Sequence, residues 1–409
     1  MSKKHNRTPG RRLVAVVMLF YFLAFLLLAV RKNSREGYIL SIAVPLMIFL
    51  GTNLLPHMFK ADRLLLSLSN FLCALGVLIL YDTNPAYAYQ QAVSYGIGLL
   101  CMVICILLVR SVFSWRLLVW PLILISLLLL ALPVLWGKET NGAKNWIALG
   151  PVSFQPSEVV KLSLVITLAW FMSRRKMIPW LLFSVFCLIM LMLQKDLGTA
   201  LLYYMTALML YWASDGSMIF TGIGLLGGCA AAVYGYNQFS HVRRRVAIWL
   251  NPWADFESAG YQLVQGLMAI ASGGLFGVGL GLGMPTAIPV YETDFIFAVI
   301  CEQFGLIFGI CVILMYVALI WRGVSVAMSA RRSFHSLLAM GSTVLLGFQT
   351  FVIIGGVLKL IPLTGVTMPF VSYGGTSLIS SLCLIGFIQG VGSMNESDLE
   401  EDTHLAMLG

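Results

Sequence analysis

Long apolar segments follow one another along most of this chain, separated by short polar connections. Apolar segments of about 18 or more residues are typical of membrane-spanning helices, because about 20 helical residues cross the hydrocarbon core. We predict twelve such spans, at residues 13–30, 38–55, 64–81, 91–109, 117–136, 158–172, 180–193, 197–213, 218–236, 295–321, 336–358 and 377–393. The predicted fold class is therefore an all-α polytopic membrane protein.

The composition agrees with this fold class. Hydrophobic residues make up 59% of the 409 positions, whereas soluble domains contain about 45–50%. The net charge of +9 indicates membrane orientation and contact with anionic lipids, and we expect no nucleic-acid partner. All eight cysteines lie in apolar segments, which favours buried packing over disulfide or metal roles.

The distribution of basic residues predicts the orientation. An even number of spans places both termini on one side, and most basic residues fall on that side, which predicts cytoplasmic termini. Arg31, Lys32 and Arg35 fall on the opposite side and do not follow this rule. The placement of the first two spans is therefore the least supported part of the topology.

Two predicted outer loops are longer than ordinary connections. They cover about residues 137–157 and 237–294, and loops of the second length are usually functional or disordered. The second loop is rich in Trp, Phe, Leu and Gly, a composition that argues against disorder. We expect it to fold into short helices over the membrane surface.

Glu158 and Lys161 open the sixth span, after Gln155 and Ser157. The i, i+3 spacing places the two charges on one helix face, where they can pair. Ionisable groups at membrane depth are costly unless they are paired or hydrated. Two interpretations stay open, a structural ion pair and a charged pair that lines a water-filled cavity.

The segment KDLGTA and the basic run at 243–245 hold further polar candidates. Asp196 precedes Thr199 by three residues and suits an N-cap of the eighth span. Arg243, Arg244 and Arg245 suit phosphate recognition, because guanidinium groups bind phosphate oxygens in a bidentate manner. Contact of these arginines with lipid headgroups is the alternative.

Three carboxylates are gathered in ETDFIFAVICEQFG, residues 292–305. Thr293 and Asp294 could cap the tenth span, since an acidic residue satisfies orphan N–H groups at a helix start. The alternative is that Asp294 acts as a general base at the mouth of an outer cavity. The arginines at 243–245 would then stabilise an anionic leaving group.

Two further segments carry less specific signals. SGGLFGVGLGLG, residues 272–283, contains G-x-G spacings but follows no strand, so its glycines predict close backbone packing or a re-entrant turn. GVTMPFVSYGGTS, residues 365–377, predicts ordered non-helical backbone. It is either a simple connector or a surface whose hydroxyl and aromatic groups contact a sugar.

Five segments occur in the order and spacing of the SEDS family of shape, elongation, division and sporulation proteins. They are GAKNWIALGPVSFQPSEVVK, DLGTALL, NPWADFESAGYQLVQGLMAIASGGLFGVGLG, TDFIFAVICEQFG and LIPLTGVTMPFVSYGGTS. The chain resembles this family over about residues 64–393. The resemblance implies a ten-helix core there and two accessory helices within residues 1–63. Five of the 17 acidic residues lie after the last span, which predicts an acidic cytoplasmic tail at 394–409.

The resemblance implies a peptidoglycan glycosyltransferase of the bacterial cytoplasmic membrane. Such enzymes polymerise lipid II at the outer face, together with a class B penicillin-binding protein. Asp294 matches the family's essential aspartate, and Arg245 matches its basic position before NPW. The expected cavity and substrate-binding set comprises Gln155, Ser157, Glu158, Lys161, Asp196, Thr199, Arg243, Arg244, Arg245, Glu292, Thr293, Ser372, Tyr373, Gly374 and Gly375.

The implied reaction is a single inverting displacement with Asp294 as base and undecaprenyl pyrophosphate as leaving group. We expect no organic cofactor, and Mg²⁺ or Mn²⁺ could offset the pyrophosphate charge. Two departures from the family pattern are Glu292, where histidine is usual, and Lys195, where proline is frequent. The alternatives are a lipid II flippase and a non-catalytic scaffold that activates a penicillin-binding protein. Elongation, division and sporulation all stay open as the process served.

Overall fold

The computed structural model describes residues 8–408, except 113, 141–142, 150–151, 257 and 259. Its α-helices in this range are α1 Thr8–Lys32, α2 Arg35–Phe49, α3 Leu55–Phe59, α4 Arg63–Thr83, α5 Pro85–Ser111, α6 Trp115–Trp136, α7 Pro156–Met172, α8 Met177–Leu193, α9 Leu197–Asp215, α10 Met218–Gln238, α11 Ser240–Leu250, α12 Tyr261–Gly273, α13 Ile296–Met328, α14 Ser333–Val357 and α15 Gly375–Leu408. A π-helical segment, Leu50–Leu54, joins α2 to α3 without a break.

Each of the twelve predicted spans coincides with helical structure, and the all-α polytopic fold is confirmed. Among the described residues, nine helical segments are long and apolar enough to cross a membrane. The other three predicted spans are α7, α8 and α9, which are shorter or more polar. The second span is continuous through the π-helical segment into α3.

The core of the bundle is formed by α4, α14 and α15. Within their most apolar windows, 78%, 72% and 83% of the residues are buried, against 6% in α10. The helix α10 therefore lies at the edge of the bundle.

The expectation that the cysteines are buried is wrong for Cys229 on α10 and Cys311 on α13, which are exposed. An apolar side chain is equally stable when it faces lipid.

A small antiparallel sheet follows α6, in the first of the two predicted outer loops. Its strands are β1 Lys138–Thr140, β2 Ala143–Leu149 and β3 Val152–Phe154, with β2 in the middle. These strands were not predicted from the sequence, because each is too short to show a clear alternation of apolar and polar residues. The Lys144 amide donates to the Gln194 carbonyl at 3.0 Å and so joins β2 to the turn after α8.

The second predicted outer loop folds into α11, α12 and two 3₁₀ turns, Pro252–Asp255 and Pro285–Ala287. The prediction of short helices is confirmed. The prediction of close backbone packing by the glycine segment is also confirmed, since a Cβ at Gly277 would lie 2.2 Å from the Gln303 carbonyl oxygen. Helix α13 is kinked beside this contact, at Gly305, where φ is +85°.

Basic residues at the end of α1 bind specific partners. The Arg31 guanidinium donates to the Gly281 carbonyl at 2.8 Å. The Lys32 ammonium lies 3.7 Å from the Asp82 carboxylate, and Gln303 donates to the same carboxylate at 2.6 Å. These contacts tie the first helix to α4 and to the glycine segment, which gives a structural reason for basic residues at this end of α1.

We expect Lys32→Met to destabilise the protein by about 1–3 kcal/mol, because it removes a cation beside the Asp82 carboxylate, whose side chain is 8% exposed. The measurement is the thermal unfolding midpoint of the purified protein in detergent. Lys176→Met is the matched control, since Lys176 is exposed at the start of α8. Equal midpoints for the two variants would contradict this role.

Candidate active site

Asp294 lies in a tight turn immediately before α13. The amides of Thr293 and Asp294 both donate to the Val290 carbonyl, at 3.4 and 3.3 Å. The N-cap position is Phe295, and among the described residues no side chain caps this helix start. The capping interpretation of Thr293 and Asp294 is therefore wrong, because the turn at Val290 places both residues before the cap position.

Asp294 and Arg245 meet beside Gly365. A Cβ at Gly365 would lie 3.8 Å from Asp294 Oδ2 and 3.4 Å from Arg245 Nη2. Gly365 has a φ of +75°, which glycine adopts without the steric cost that a Cβ brings. Arg245 also donates to the Leu363 carbonyl at 3.1 Å. The segment before α15 thus holds the guanidinium near the carboxylate, a role for Gly365 that the sequence analysis missed.

The surroundings of Asp294 shift its proton affinity. Burial raises the pKa of Asp294 to about 6, with a smaller rise from Glu292. The hydrogen bond with Thr293 and the positive charge of Arg245 act in the opposite direction. Asp294 is therefore ionised at neutral pH, yet its pKa is close to the operating pH, as an efficient general base requires.

A second group of polar side chains surrounds Asp196. This residue caps α9, as predicted, and its Oδ1 accepts from the Thr199 amide at 3.2 Å. Its Oδ2 accepts from the side-chain amides of Asn145 and Gln155, at 3.1 and 3.0 Å. The negative charge of Asp196 also acts to raise the pKa of Arg245. Asp196 therefore joins the sheet, α7 and α9 next to the Arg245 and Asp294 pair.

Asn145 was not recognised as a candidate from the sequence. It is a polar residue within the quoted segment GAKNWIALG, but nothing in its spacing links it to Asp196, which lies 51 residues further along the chain.

The segment before α15 is fixed to the turn that carries Asp294. Ser372 Oγ donates to the Thr293 carbonyl at 2.5 Å, and the Tyr373 amide donates to the Glu292 carbonyl at 2.8 Å. The side chain of Gln91 on α5 donates to the Ser372 carbonyl at 2.9 Å. These bonds confirm ordered non-helical backbone in this segment.

The predicted glycines mark the end of this segment. The Gly374 amide donates to the side chain of Gln91 at 3.2 Å, and Gly375 opens α15. The ring of Tyr373 stacks on Tyr87 at 4.5 Å between centroids, and its hydroxyl donates to Gln90. Tyr87, Gln90 and Gln91 on α5 were not recognised from the sequence, because they lie in an apolar helix without a recognised motif.

Glu158 and Lys161 form the predicted ion pair, at 2.5 Å. Ser380 donates to Glu158 Oε2 at 2.8 Å. Lys161 donates to Gln349 at 3.4 Å, and Gln349 donates in turn to the Thr367 carbonyl at 2.9 Å. The Lys161 residue is only 3% exposed. The pair is thus embedded in a hydrogen-bond network, and that network leads to the segment that borders Asp294.

Three other predicted site residues lie outside these groups. The hydroxyl of Ser157 is buried without a hydrogen-bond partner among the described residues, and its carbonyl accepts from Tyr203 at 2.6 Å. Arg243 and Arg244 are exposed on α11. Arg245 is exposed as well, but its guanidinium lies beside Gly365 and Asp294, and its charge lowers the pKa of Asp294.

Comparison with known proteins identifies relatives of this arrangement. A model of the FtsW/RodA/SpoVE family, described as cell cycle proteins, matches residues 63–397 of this chain. Peptidoglycan glycosyltransferase RodA of Mycobacterium tuberculosis H37Rv is 38% identical over 288 residues, which cover 65% of this chain and 61% of that protein. This chain thus spans less than two thirds of the length of the mycobacterial RodA.

Two further proteins are similar over most of their length. Stage V sporulation protein E of Bacillus subtilis 168 is 33% identical over 360 residues, which cover 81% of this chain and 96% of that protein. A chain in a solved structure of a peptidoglycan synthase complex, described for its coordination of polymerization and crosslinking, is 30% identical with a TM-score of 0.69. The similarity covers 82% of this chain and 98% of that chain.

We expect Glu158→Gln and Lys161→Met each to destabilise the protein by about 3–5 kcal/mol, because each leaves a buried charge without its partner. The double variant should lose less than the sum of the two. Thermal unfolding of all three variants measures this coupling. Arg322→Gln is the comparison, since the Arg322 side chain in its pair with Asp62 is 47% exposed and a solvated cation contributes less to an ion pair than a buried one. Additive losses would contradict an interacting pair.

We expect Arg245→Met to raise the pKa of Asp294, because it removes a positive charge, and Glu292→Gln to lower it, because it removes a negative one. The measurement is the pH dependence of carbodiimide modification of Asp294, followed by mass spectrometry. In the wild type, the reactive protonated form should disappear as the pH rises through about 6. Arg243→Met is the matched control. A profile that Arg245→Met and Glu292→Gln shift in the same direction would refute this electrostatic account.

Proposed function

Since this chain belongs to the FtsW/RodA/SpoVE family of cell cycle proteins, we propose that it is a peptidoglycan glycosyltransferase that polymerises lipid II into glycan strands. The name of its mycobacterial relative, peptidoglycan glycosyltransferase RodA, supports this activity. The observation that carries the proposal is the carboxylate of Asp294, which does not cap a helix, lies beside Arg245 and has a pKa of about 6. That combination suits a general base that works next to an anionic leaving group.

The proposed reaction begins with proton removal by Asp294. The carboxylate takes the proton from the 4-hydroxyl of the GlcNAc at the end of the acceptor. The freed oxygen attacks the anomeric carbon of the donor MurNAc, and the bond to the pyrophosphate oxygen breaks with inversion. Undecaprenyl pyrophosphate leaves as a stable anion, so the acid that glycosidases use to protonate a poor leaving group is not required.

Arg245 would stabilise the charge that develops on the departing pyrophosphate. Its position is fixed by the Leu363 carbonyl at 3.1 Å, and an arginine held in advance loses little side-chain entropy when it binds phosphate. Its charge also holds the Asp294 pKa below the value that burial alone would produce. Arg245 therefore supports both the base and the leaving group.

A divalent cation would have few protein ligands in this site. Among the described residues, no group of three or more His, Cys, Asp or Glu side chains could hold a metal ion. Mg²⁺ commonly binds through one or two carboxylates together with substrate phosphates, and Glu292 with Asp294 could supply that part. The cation would then contribute charge neutralisation at the pyrophosphate.

The proposal includes a class B penicillin-binding protein as partner. The similarity to a chain of a peptidoglycan synthase complex supports this assignment. We further propose that residues 64–393 form the catalytic core with its site at the outer face. Residues 1–63 would contribute two accessory helices, residues 394–409 would form an acidic tail, and both termini would be cytoplasmic.

We expect Asp294→Asn to reduce glycan polymerisation by about 10²–10⁴-fold, the usual contribution of a general base. The assay uses the purified full chain with its transpeptidase partner and lipid II, and it measures glycan length on gels. Asp215→Asn is the matched control, because Asp215 is exposed at the end of α9.

Polymerisation by Asp294→Asn at the wild-type rate would overturn the catalytic assignment. A scaffold that only activates the partner would give this result. A flippase would instead move lipid II across a bilayer without forming glycan, so the same preparation is also tested for lipid II transfer in vesicles.

A further inference from the structure

A groove lies between α8 and α10, and α10 is at the edge of the bundle. It has a volume of about 480 Å³. Its walls are mainly apolar and include Ile189, Met192, Leu193, Tyr234 and Phe239. Leu193 and Tyr234 are 58% and 56% exposed, so the groove is accessible from the surroundings of the helices. An apolar chain is the ligand that suits these walls.

The polar groups of the groove are Lys195 and Gln238, at the ends of α8 and α10. Lys195 is exposed, and its ammonium group makes no hydrogen bond or ion pair with any described residue. A long apolar wall that ends in a free ammonium group is complementary to an amphiphile with an anionic head.

The charged end of the groove adjoins the site of Asp294. Lys195 directly precedes Asp196, whose charge acts on Arg245. Lys195 is also near His241 on α11, since burial, Arg245 and Lys195 together lower the pKa of His241. A head group at Lys195 would therefore lie close to the pair of Arg245 and Asp294.

The first turns of α11 add positive charge at the same end. The helix begins at Ser240, immediately after the groove residue Phe239. Arg243 and Arg244 are exposed on it. Several cations around one end of an apolar groove favour a pyrophosphate, which carries more negative charge than the single phosphodiester of a phospholipid.

We infer that this groove binds the isoprenoid chain of a polyprenyl pyrophosphate, with Lys195 on the pyrophosphate. The inference rests on the proposed function and assigns a location to its lipid-linked substrate. The apolar chain lies against α8 and α10, and the head group projects toward Arg245 and Asp294. Lys195 then has a direct role in substrate binding, at a position where proline is frequent in the family.

The test measures binding of undecaprenyl pyrophosphate to the purified full chain in phosphatidylcholine nanodiscs, by native mass spectrometry. Lys195→Glu should weaken binding by about tenfold or more, because it replaces a charge-assisted contact with repulsion. Leu193→Trp should weaken binding to a similar degree, because it fills the groove. The matched controls are Lys176→Glu and Leu182→Trp on the same helix. Both control positions are exposed and lie outside the groove, so the controls should bind as the wild type does.

Three outcomes would overturn the inference. In the first, Lys195→Glu and Leu193→Trp bind undecaprenyl pyrophosphate as tightly as their controls. In the second, phosphatidylglycerol competes as well as the pyrophosphate, which would mark an ordinary lipid contact. In the third, inorganic pyrophosphate alone binds with the same affinity and is unaffected by Leu193→Trp, which would place no chain in the groove.

Failure of this inference is separable from failure of the proposed function. The measurement reports binding and not turnover, so its result does not depend on the catalytic role of Asp294. An active Asp294→Asn would refute the catalytic role while the binding results still stand. Normal binding by Lys195→Glu and Leu193→Trp, together with an inactive Asp294→Asn, would refute only the groove. Matching thermal unfolding midpoints for each variant and its control ensure that the lipid contact is compared in folded protein.

Discussion

The close approach of Arg245 to Asp294 is the interaction on which the account of this protein depends. The two side chains come from α11 and from the turn before α13, and both lie beside Gly365, whose φ of +75° suits glycine. Burial alone favours the neutral carboxyl group, whereas the guanidinium favours the ionised one. Together with the lowering by the Thr293 hydrogen bond and the smaller rise from Glu292, these two effects leave the pKa of Asp294 at about 6. Under the proposed function, the same guanidinium would stabilise the anionic leaving group.

The ion pair of Glu158 and Lys161 follows a different physical logic. Lys161 is almost completely buried, and both charges have additional hydrogen-bond partners. A buried pair of this kind is costly to break but adds little net stability, so it often defines a particular arrangement of helices. Here Gln349 connects the pair to Thr367, in the segment that also contains Gly365. The buried network thus supports the backbone that surrounds the catalytic candidate.

The sequence predicted the helices well, because a run of about 20 apolar residues leaves few alternatives to a spanning helix. It also predicted the pair at 158 and 161 and the cap at Asp196, since these depend on neighbours within four residues. It could not decide whether Asp294 caps a helix, because that outcome depends on the turn at Val290. Asn145, Gln349 and Gly365 were missed for a related reason. Their roles come from contacts across 18 or more residues of sequence, which no local pattern encodes.

The pH dependence of glycan polymerisation tests the central claim most directly. It is measured with the purified full chain, its transpeptidase partner and lipid II at saturating partner concentration. If Asp294 is the base, the rate rises as the pH increases through about 6, because the ionised carboxylate is the active form. Glu292→Gln should move this rise to lower pH, since it removes a neighbouring negative charge. A rate that is constant from about pH 5 to pH 7, or a rise that Glu292→Gln leaves in place, would contradict the assignment of Asp294 as the base.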